Sequence, residues 1–321
     1  MSTAAAAERL RVIKGHLENG KLDANKGEKR FRFTLKSHPL LTEADRIFYE
    51  ENGYVVVRNL LPHQLLDKWS QRFRDICDEK VDKGRITLMK DLSLAKTGVT
   101  GERLYNKIQD FMWDEVLYEF IAYPELCDLI ECFVGPNMNA MHTMLINKPP
   151  DAGSETSRHP LHQDLHYFPF RPADKIVCAW TAMERVTRDN GCLVVLPGTH
   201  RGMLLPHEYP SWENGVNKMY HGIVGFDGHN RMHLPMEKGD TVFFHPILIH
   251  GSGANRTKGF RKAISCHYAA SECHWIDVKG TTQQSIADEV EELAKKRGVT
   301  LDIQDIWKYR SRLVRGNEIN L

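Results

Sequence analysis

The chain of 321 residues is long enough for one sizeable hydrophobic core, so we expect a single large folded domain. Its 43 lysines and arginines nearly cancel its 42 aspartates and glutamates, so neither nucleic acid nor an anionic membrane is an expected partner. The longest apolar runs fall well short of the roughly 20 residues that a membrane span needs, so none is predicted. The seven cysteines form no C-x-x-C pair, which argues against a disulfide framework or a zinc ribbon.

The N-terminus carries a short pattern typical of a targeting address. Residues 9–17 read Arg-Leu, five residues, then His-Leu, which resembles the N-terminal type of peroxisomal signal. In a helix, Leu10, Ile13 and Leu17 would share one face, as an import-receptor groove requires. We therefore expect residues 1–30 to be a targeting segment and linker, and the protein to reach the peroxisomal matrix. The alternative is an ordinary basic tail.

The first 135 residues are predicted to be mostly helical. The patterns predict a helix at 44–49 ending at Gly53, a strand at 54–57, a helix from Pro62 to position 77, and two helices over 114–133 split at Pro124. Gly53 suits the left-handed backbone that ends many helices, and Pro62 suits a first helical turn.

Beyond position 135 the pattern changes to short β-rich runs separated by turn-forming residues. The runs lie at 141–146, 176–183, 192–196, 241–244 and 262–268. Many short strands without alternating helices indicate an antiparallel sandwich or barrel. Helical patterns return at 286–294 and 303–307. The predicted fold class is mainly β with flanking helices, in one domain at 31–321 whose β core covers about 137–270.

Two histidines and one aspartate have the order of a metal site. In His162-Gln163-Asp164 the two ligand-type residues are two apart, so a strand would aim both side chains from one face. That tripeptide alone is expected by chance in a chain this rich in histidine, and a polar surface strand is its simpler interpretation. A second histidine, His250, follows a predicted strand downstream. Two histidines and one carboxylate are the facial triad of non-haem iron(II) oxygenases, which leaves coordination positions open for reactants.

Arg261 supplies the group that such a site needs for a 2-oxo acid cosubstrate. It lies eleven residues after His250, and its guanidinium is a permanently charged, planar partner for a carboxylate. In a strand, Arg261, Ala263, Ser265 and His267 share one small and polar face, as a cofactor-lined cavity would. A solvent-facing strand would have much the same pattern.

Gln163 and His166 are polar neighbours of the candidate ligands. In a regular strand Gln163 points away from the metal, whereas His166 shares the face of His162 and Asp164. His166 is therefore a candidate for one of three roles: a substitute metal ligand, a residue that supports the ligands from behind, or a substrate contact.

Three motifs together resemble the phytanoyl-CoA dioxygenase family of iron(II)- and 2-oxoglutarate-dependent oxygenases. They are LHQDLHY at 161–167, NGCLVVLPGTH at 190–200 and HGSG at 250–253. The resemblance implies a double-stranded β-helix (jelly-roll, cupin-like) core that carries the iron site. It also implies that four further residues line the 2-oxoglutarate pocket: Lys107, Met144, Trp180 and Ser252.

The implied reaction is 2-hydroxylation of a 3-methyl-branched fatty acyl-CoA such as phytanoyl-CoA, in peroxisomal α-oxidation of lipids. Iron(II), 2-oxoglutarate and O2 take part, with ascorbate as a candidate reductant. Family members that halogenate have a small residue in place of the carboxylate ligand, so Asp164 favours hydroxylation. Two alternatives stay open: a hydroxylase of the same family that acts on a free small molecule, and a cupin-like metal protein that is not an oxygenase.

Overall fold

The computed structural model describes residues 31–91, 94–151, 157–212, 216–223, 225, 231–296 and 298–321. The predicted targeting segment at 1–30 lies outside the described residues. Within the described part, no helix is long and apolar enough to cross a membrane.

Six α-helices flank a sheet-rich core in the described part of the chain. They are α1 (Glu43–Asn52), α2 (His63–Cys77), α3 (Glu115–Ile121), α4 (Pro124–Val134), α5 (Gln284–Lys296) and α6 (Ile303–Tyr309). The first begins with a capping box between Thr42 and Asp45 and ends at Gly53, whose φ of 80° is left-handed as the sequence predicted. A side chain at Gly53 would also collide with the His200 ring.

Sixteen strands are described. They are β1 (Tyr54–Val57), β2 (Thr87–Lys90), β3 (Tyr105–Gln109), β4 (Met138–Lys148), β5 (His159–His162), β6 (Phe170–Arg171), β7 (Ile176–Ala182), β8 (Leu193–Val195), β9 (His207–Glu208), β10 (Gly222–Ile223), β11 (Met232–Leu234), β12 (Thr241–Phe244), β13 (His250–Ser252), β14 (Arg261–Ala270), β15 (His274–Trp275) and β16 (Arg312–Arg315).

The strands form two main antiparallel sheets that face each other. The major sheet has the order β1-β12-β7-β14-β4-β3-β2, and β16 also pairs with β4. The minor sheet has the order β11-β8-β13-β5. One apolar cluster joins residues of both sheets, which makes the arrangement a β-sandwich of the double-stranded β-helix type.

The central strands β12, β7 and β14 of the major sheet are buried on both faces, because helices cover the side that the minor sheet does not. In β7, Val177 and Ala179 belong to the large cluster shared with the helices, whereas Cys178 and Trp180 face the minor sheet. This explains why β7 is buried along its whole length and has no polar face in its sequence.

The predicted helices and β-rich runs all correspond to elements of the fold, with ends shifted by a few residues. The sequence patterns did not identify β2, β3 and β16, although these strands extend the major sheet on either side of positions 137–270. Local patterns did not reveal these strands because some of their residues are buried and others only partly buried. Their pairing partners also lie far away along the chain or beyond an irregular loop.

Candidate metal centre

His162 and His250 lie directly opposite each other on paired strands. The first ends β5 and the second begins β13, and the antiparallel register joins them. The chain then bends, and Asp164 opens a single 3₁₀ turn, Asp164–Tyr167, rather than continuing the strand. The prediction of a regular strand through both ligands was therefore wrong. One ligand-type atom from each of the three residues nevertheless lies within 4.8 Å of the others.

Backbone carbonyls fix the orientation of both imidazoles. His162 Nδ1 is 2.9 Å from the Pro160 carbonyl oxygen, and His250 Nδ1 is 2.9 Å from that of Leu248. In each ring Nδ1 is therefore the protonated nitrogen, and the lone pair is on Nε2. Both Nε2 atoms point at Asp164, at 3.2 Å from Oδ1 for His162 and 3.6 Å from Oδ2 for His250.

The protonation states also suit a cation. Burial lowers the pKa of His250 to about 4, so the imidazole is neutral at physiological pH. Burial alone would raise the pKa of Asp164, but His250 and His267 hold it well below its usual value. A neutral imidazole and an ionised carboxylate are the forms in which these side chains bind iron(II) in a facial triad.

A second set of metal-type residues, Asp164, Cys178 and His267, shares the same carboxylate. Its chemistry is less suitable, because burial raises the pKa of the Cys178 thiol well above its usual value and a thiol must ionise to bind a metal. The His267 Nε2 atom instead lies 2.8 Å from Asp164 Oδ2 and orients that carboxylate. The first set is therefore the better candidate for a metal site.

Gln163 and His166, two further polar residues of the motif at 161–167, form hydrogen bonds with the surrounding loops. Gln163 points away from the metal centre, as predicted: its amide donates to the carbonyls of Met203 and Ile247, and its Oε1 accepts from the Leu205 N–H. His166 does not join the ligand group in the described part of the chain. Its ring stacks on His207, and its Nε2 lies 3.0 Å from His221 Nδ1. Since Asp164 starts a turn, His166 no longer shares its face.

One cavity between the sheets contains all eight residues singled out from the sequence. They are His162, Asp164 and His250 at the metal centre, with Lys107, Met144, Trp180, Ser252 and Arg261 on the surrounding walls. The sequence did not indicate Lys148, Asn106 or Tyr220, which line the same cavity. Each is a single polar residue, and only the tertiary pairing brings it to the cavity.

Arg261 is buried with part of its hydrogen-bonding capacity unused. One amino group, Nη2, donates to the Gly191 carbonyl at 2.8 Å, whereas Nε and Nη1 have no acceptor among the residues that the structure describes. Burial lowers the pKa of the guanidinium to about 10, so it stays charged at neutral pH. Every residue of β14 is buried, so the solvent-facing alternative is wrong. Unpaired buried donors on a planar cation fit an absent carboxylate.

Lys107 is the second cation on the cavity wall, and it comes from β3. Its ammonium lies 4.5 Å from the centre of the Tyr220 ring, which packs at a tilt against His159 next to the metal centre. Burial, assisted by Arg310, lowers the pKa of Lys107 to about 7.

Comparison with known proteins identifies relatives across the whole chain. A family model for phytanoyl-CoA dioxygenase matches residues 49–263. The chain is 55% identical to the peroxisomal phytanoyl-CoA dioxygenase of Rattus norvegicus and 51% identical to that of Homo sapiens, and both alignments cover 100% of each chain. It is 58% identical to a probable phytanoyl-CoA dioxygenase of Caenorhabditis elegans, over 88% of this chain and 96% of the relative.

Solved structures share the fold at low sequence identity. EctD from S. alaskensis with 2-oxoglutarate and 5-hydroxyectoine has a TM-score of 0.59 and 16% identity, covering 79% of this chain and 89% of that one. The epimerase SnoN with Fe3+, α-ketoglutarate and nogalamycin RO has a TM-score of 0.54 and 19% identity, covering 73% of this chain and 85% of that one. These likenesses confirm the double-stranded β-helix fold.

The choice between the two overlapping ligand sets can be tested by direct metal binding. We expect His162→Ala and His250→Ala each to weaken Co2+ or Fe2+ binding by about 100-fold or more, because each removes a ligand. Cys178→Ala should leave the affinity nearly unchanged. Calorimetric titration of each folded variant gives the affinities, with circular dichroism as the check on folding. A loss of binding in Cys178→Ala as large as that in His250→Ala would contradict the assignment.

Proposed function

The chain belongs to the phytanoyl-CoA dioxygenase family, and on that basis we propose that it uses iron(II) and 2-oxoglutarate to hydroxylate C2 of a 3-methyl-branched fatty acyl-CoA. The observation that carries the proposal is a buried guanidinium with two unused donors in the same cavity as a His-Asp-His triad. An oxygenase that consumes 2-oxoglutarate needs both groups in one place, and a simple metal-binding protein needs only the triad.

Different residues would bind the metal and the cosubstrate. His162, Asp164 and His250 would hold the iron, with His267 fixing the orientation of the aspartate. Bound iron(II) supplies the open coordination positions for the keto acid and O2 and the oxidising chemistry. Arg261 would pair with the far carboxylate of 2-oxoglutarate, the acceptor that its free donors lack.

Other cavity residues shape and dry the site. Trp180 lies 5.4 Å from the Arg261 guanidinium and covers one side of the proposed cosubstrate subsite. Phe244 packs against the His250 ring, with their ring centres 4.6 Å apart. Such apolar walls exclude water and restrict the positions of the reactants, so that the target carbon and the metal centre stay close together. Lys107, Met144 and Ser252 complete this lining.

The overall reaction converts the acyl-CoA, 2-oxoglutarate and O2 into the 2-hydroxyacyl-CoA, succinate and CO2. A methyl group on C3 blocks ordinary β-oxidation, and a hydroxyl on C2 permits shortening by one carbon. This role agrees with a peroxisomal location, which the names of the rat and human relatives also state. We further propose that the motif at 9–17 is recognised by the peroxisomal import receptor.

Two alternatives differ from this proposal in their requirements. A hydroxylase for a free small molecule would use the same metal and cosubstrate, but not the thioester. A cupin-like metal protein that is not an oxygenase would leave Arg261 as a buried cation with unsatisfied donors, which is costly and unexplained.

The reaction is tested by measuring 2-oxoglutarate decarboxylation by iron-loaded protein, with ascorbate to maintain the ferrous state. We expect branched acyl-CoA to stimulate CO2 release, and the matching free acid or no substrate to give only a low background, because productive turnover needs a bound target carbon. Product analysis should find a hydroxyl at C2. Stimulation by the free acid alone would exclude the thioester, and inactivity with verified iron would contradict the oxygenase assignment.

Substitution of Arg261 should change the KM for 2-oxoglutarate more than the KM for acyl-CoA. In Arg261→Ala, we expect the KM for 2-oxoglutarate to rise by about 100-fold, because two charge-assisted hydrogen bonds are lost, with a small change in the KM for acyl-CoA. Arg261→Lys keeps the charge without the planar pair of donors and should recover only part of the loss. Steady-state kinetics with each substrate varied in turn gives both constants. Equal effects on the two constants would contradict the anchoring role.

The targeting motif can be tested apart from catalysis. Deletion of residues 1–20 should leave turnover unchanged and send a reporter fusion to the cytosol, because the receptor-binding face is removed. A matched control replaces Leu10 and Leu17 with serine in the full-length chain. Fluorescence microscopy with a peroxisomal marker gives the location, and continued import of both variants would refute the motif.

A further inference from the structure

Lys148 is a buried cation in the cavity that neither the sequence motifs nor the proposed function uses. We propose that Lys148 is a positioning and specificity-determining residue for the cosubstrate: it makes the Ser252 hydroxyl a donor and, with Arg261, selects an ionised far carboxylate. The inference rests on the proposed function. It concerns how the pocket distinguishes 2-oxoglutarate from a neutral analogue of the same length.

The first support is the position of Lys148 in the sheet. It is the last residue of β4, and the register places it directly opposite Arg261, the first residue of β14. Both line the cavity, and they are only 5% and 2% exposed. Like charges directly opposite each other destabilise a strand pair, and burial increases the cost. Such a pair is understandable where an anion binds between the two cations.

The second support is the set of acceptors around the ammonium. Its Nζ lies 2.5 Å from the Ser157 carbonyl oxygen, 2.8 Å from that of Gly253 and 2.9 Å from Ser252 Oγ. None of these three is a carboxylate, although Asp151 and Asp91 lie near enough for their charges to raise the pKa of Lys148. A lysine ammonium has three donors and no acceptor, so all three of its protons are used.

This arrangement fixes the direction of the Ser252 hydroxyl. Because Ser252 Oγ accepts a hydrogen bond from Lys148, its own proton is free to be donated elsewhere. Ser252 lines the cavity beside the metal centre. The hydroxyl can therefore donate to a carboxylate held by Arg261, whereas without Lys148 it could act as donor or acceptor.

The scaffold around the lysine is itself ordered by side-chain hydrogen bonds. Asp151 Oδ2 accepts from the N–H and the hydroxyl of Ser157, at 3.2 and 2.9 Å. Asn255 donates from its backbone N–H to Ser157 Oγ and from its side chain to the Lys148 carbonyl. Two loops and the end of β4 are thereby joined where the ammonium needs its acceptors.

Gly191 links the two cations. Its φ of +79° is left-handed, and a Cβ there would lie 2.9 Å from Lys148 Cδ and 2.6 Å from the Gly253 carbonyl oxygen. Its own carbonyl accepts the hydrogen bond from Arg261. One glycine therefore holds Arg261 in place and leaves the space that the Lys148 side chain occupies.

The electrostatics point in the same direction. Burial, and then the nearby Arg261, lower the pKa of Lys148 well below its usual value. An anion between the two side chains opposes both effects and favours the charged lysine. Two cations at one end of the pocket should therefore attract an ionised carboxylate far more strongly than a neutral amide.

The test compares 2-oxoglutarate with its neutral 5-amide, 2-oxoglutaramate, by calorimetric titration of full-length Mn2+-loaded protein without turnover. Wild-type protein should strongly prefer 2-oxoglutarate. In Lys148→Met, which keeps the length of the side chain, we expect 2-oxoglutarate binding to weaken by about 30-fold and amide binding to change little, so that the preference falls. A preference within about twofold of wild type would overturn the inference, even if the variant were less stable.

Lys262→Met is the matched control. Lys262 is also buried, but its ammonium lies 3.3 Å from Glu102 and 3.8 Å from Glu184, and it does not line the cavity. The preference of this variant for 2-oxoglutarate should equal that of wild type. If both lysine variants lose the preference equally, the effect is a general consequence of removing a buried lysine, and the specific role of Lys148 is refuted.

A double-mutant cycle with Ser252→Ala tests the route of action. If Lys148 acts through the hydroxyl, Lys148→Met should weaken 2-oxoglutarate binding less in the Ser252→Ala background than in wild type. Full additivity would remove the positioning role. If Lys148→Met does not fold, Lys148→Gln keeps two donors without the charge and should show the same loss of preference, so an unchanged preference there overturns the inference. Wild-type protein that does not bind 2-oxoglutarate would instead refute the proposed function.

Discussion

The antiparallel pairing of β5 with β13 is the constraint on which the metal centre depends. It places His162 opposite His250, and the Pro160 and Leu248 carbonyls set the direction of both rings. The sandwich therefore fixes two candidate ligands through backbone geometry. The third candidate, Asp164, opens a turn after the strand and does not continue it.

The central strand β14 connects the site to the stability of the fold. On its cavity side it carries Arg261, Ser265 and His267, and on its other side Ile264, Cys266 and Tyr268 pack into the core shared with the helices. It pairs with β4 and β7 along most of its length. The same register that packs the core thus sets the distance between Arg261 and the candidate metal ligands.

The sequence predicted what depends on local patterns and on spacing along the chain. Helical periodicity, the glycine cap at Gly53 and the alternation on β14 are local, so each was identified correctly. The candidate triad of His162, Asp164 and His250 and the candidate anchor Arg261 could be proposed because these four residues keep a recognisable order along the chain. Lys107, Met144, Trp180 and Ser252 came only from the resemblance to a family, since a lone lysine or methionine has no distinguishing local signal.

Lys148 shows why the rest could not be predicted. It precedes Pro149 and Pro150, where a polar residue reads as the exposed end of a strand. Its meaning comes from pairing with a residue more than a hundred positions away, and no local pattern encodes that register. The turn at Asp164 and the strand β3 that carries Lys107 were missed for the same reason. Single charged residues of the cavity were thus harder to identify from the sequence than residues that belong to a motif of fixed order.

The charged side chains of the cavity are suited to the proposed metal and cosubstrate. Two buried carboxylates, of Asp164 and Asp91, and three buried basic side chains, of Lys107, Lys148 and Arg261, line the cavity. Basic groups that lie close together in a low-dielectric interior cost stability unless an anion binds beside them. Iron(II) alone would add positive charge, and the two carboxylates of 2-oxoglutarate would offset the charge of the metal. The site is therefore matched to the metal and 2-oxoglutarate together.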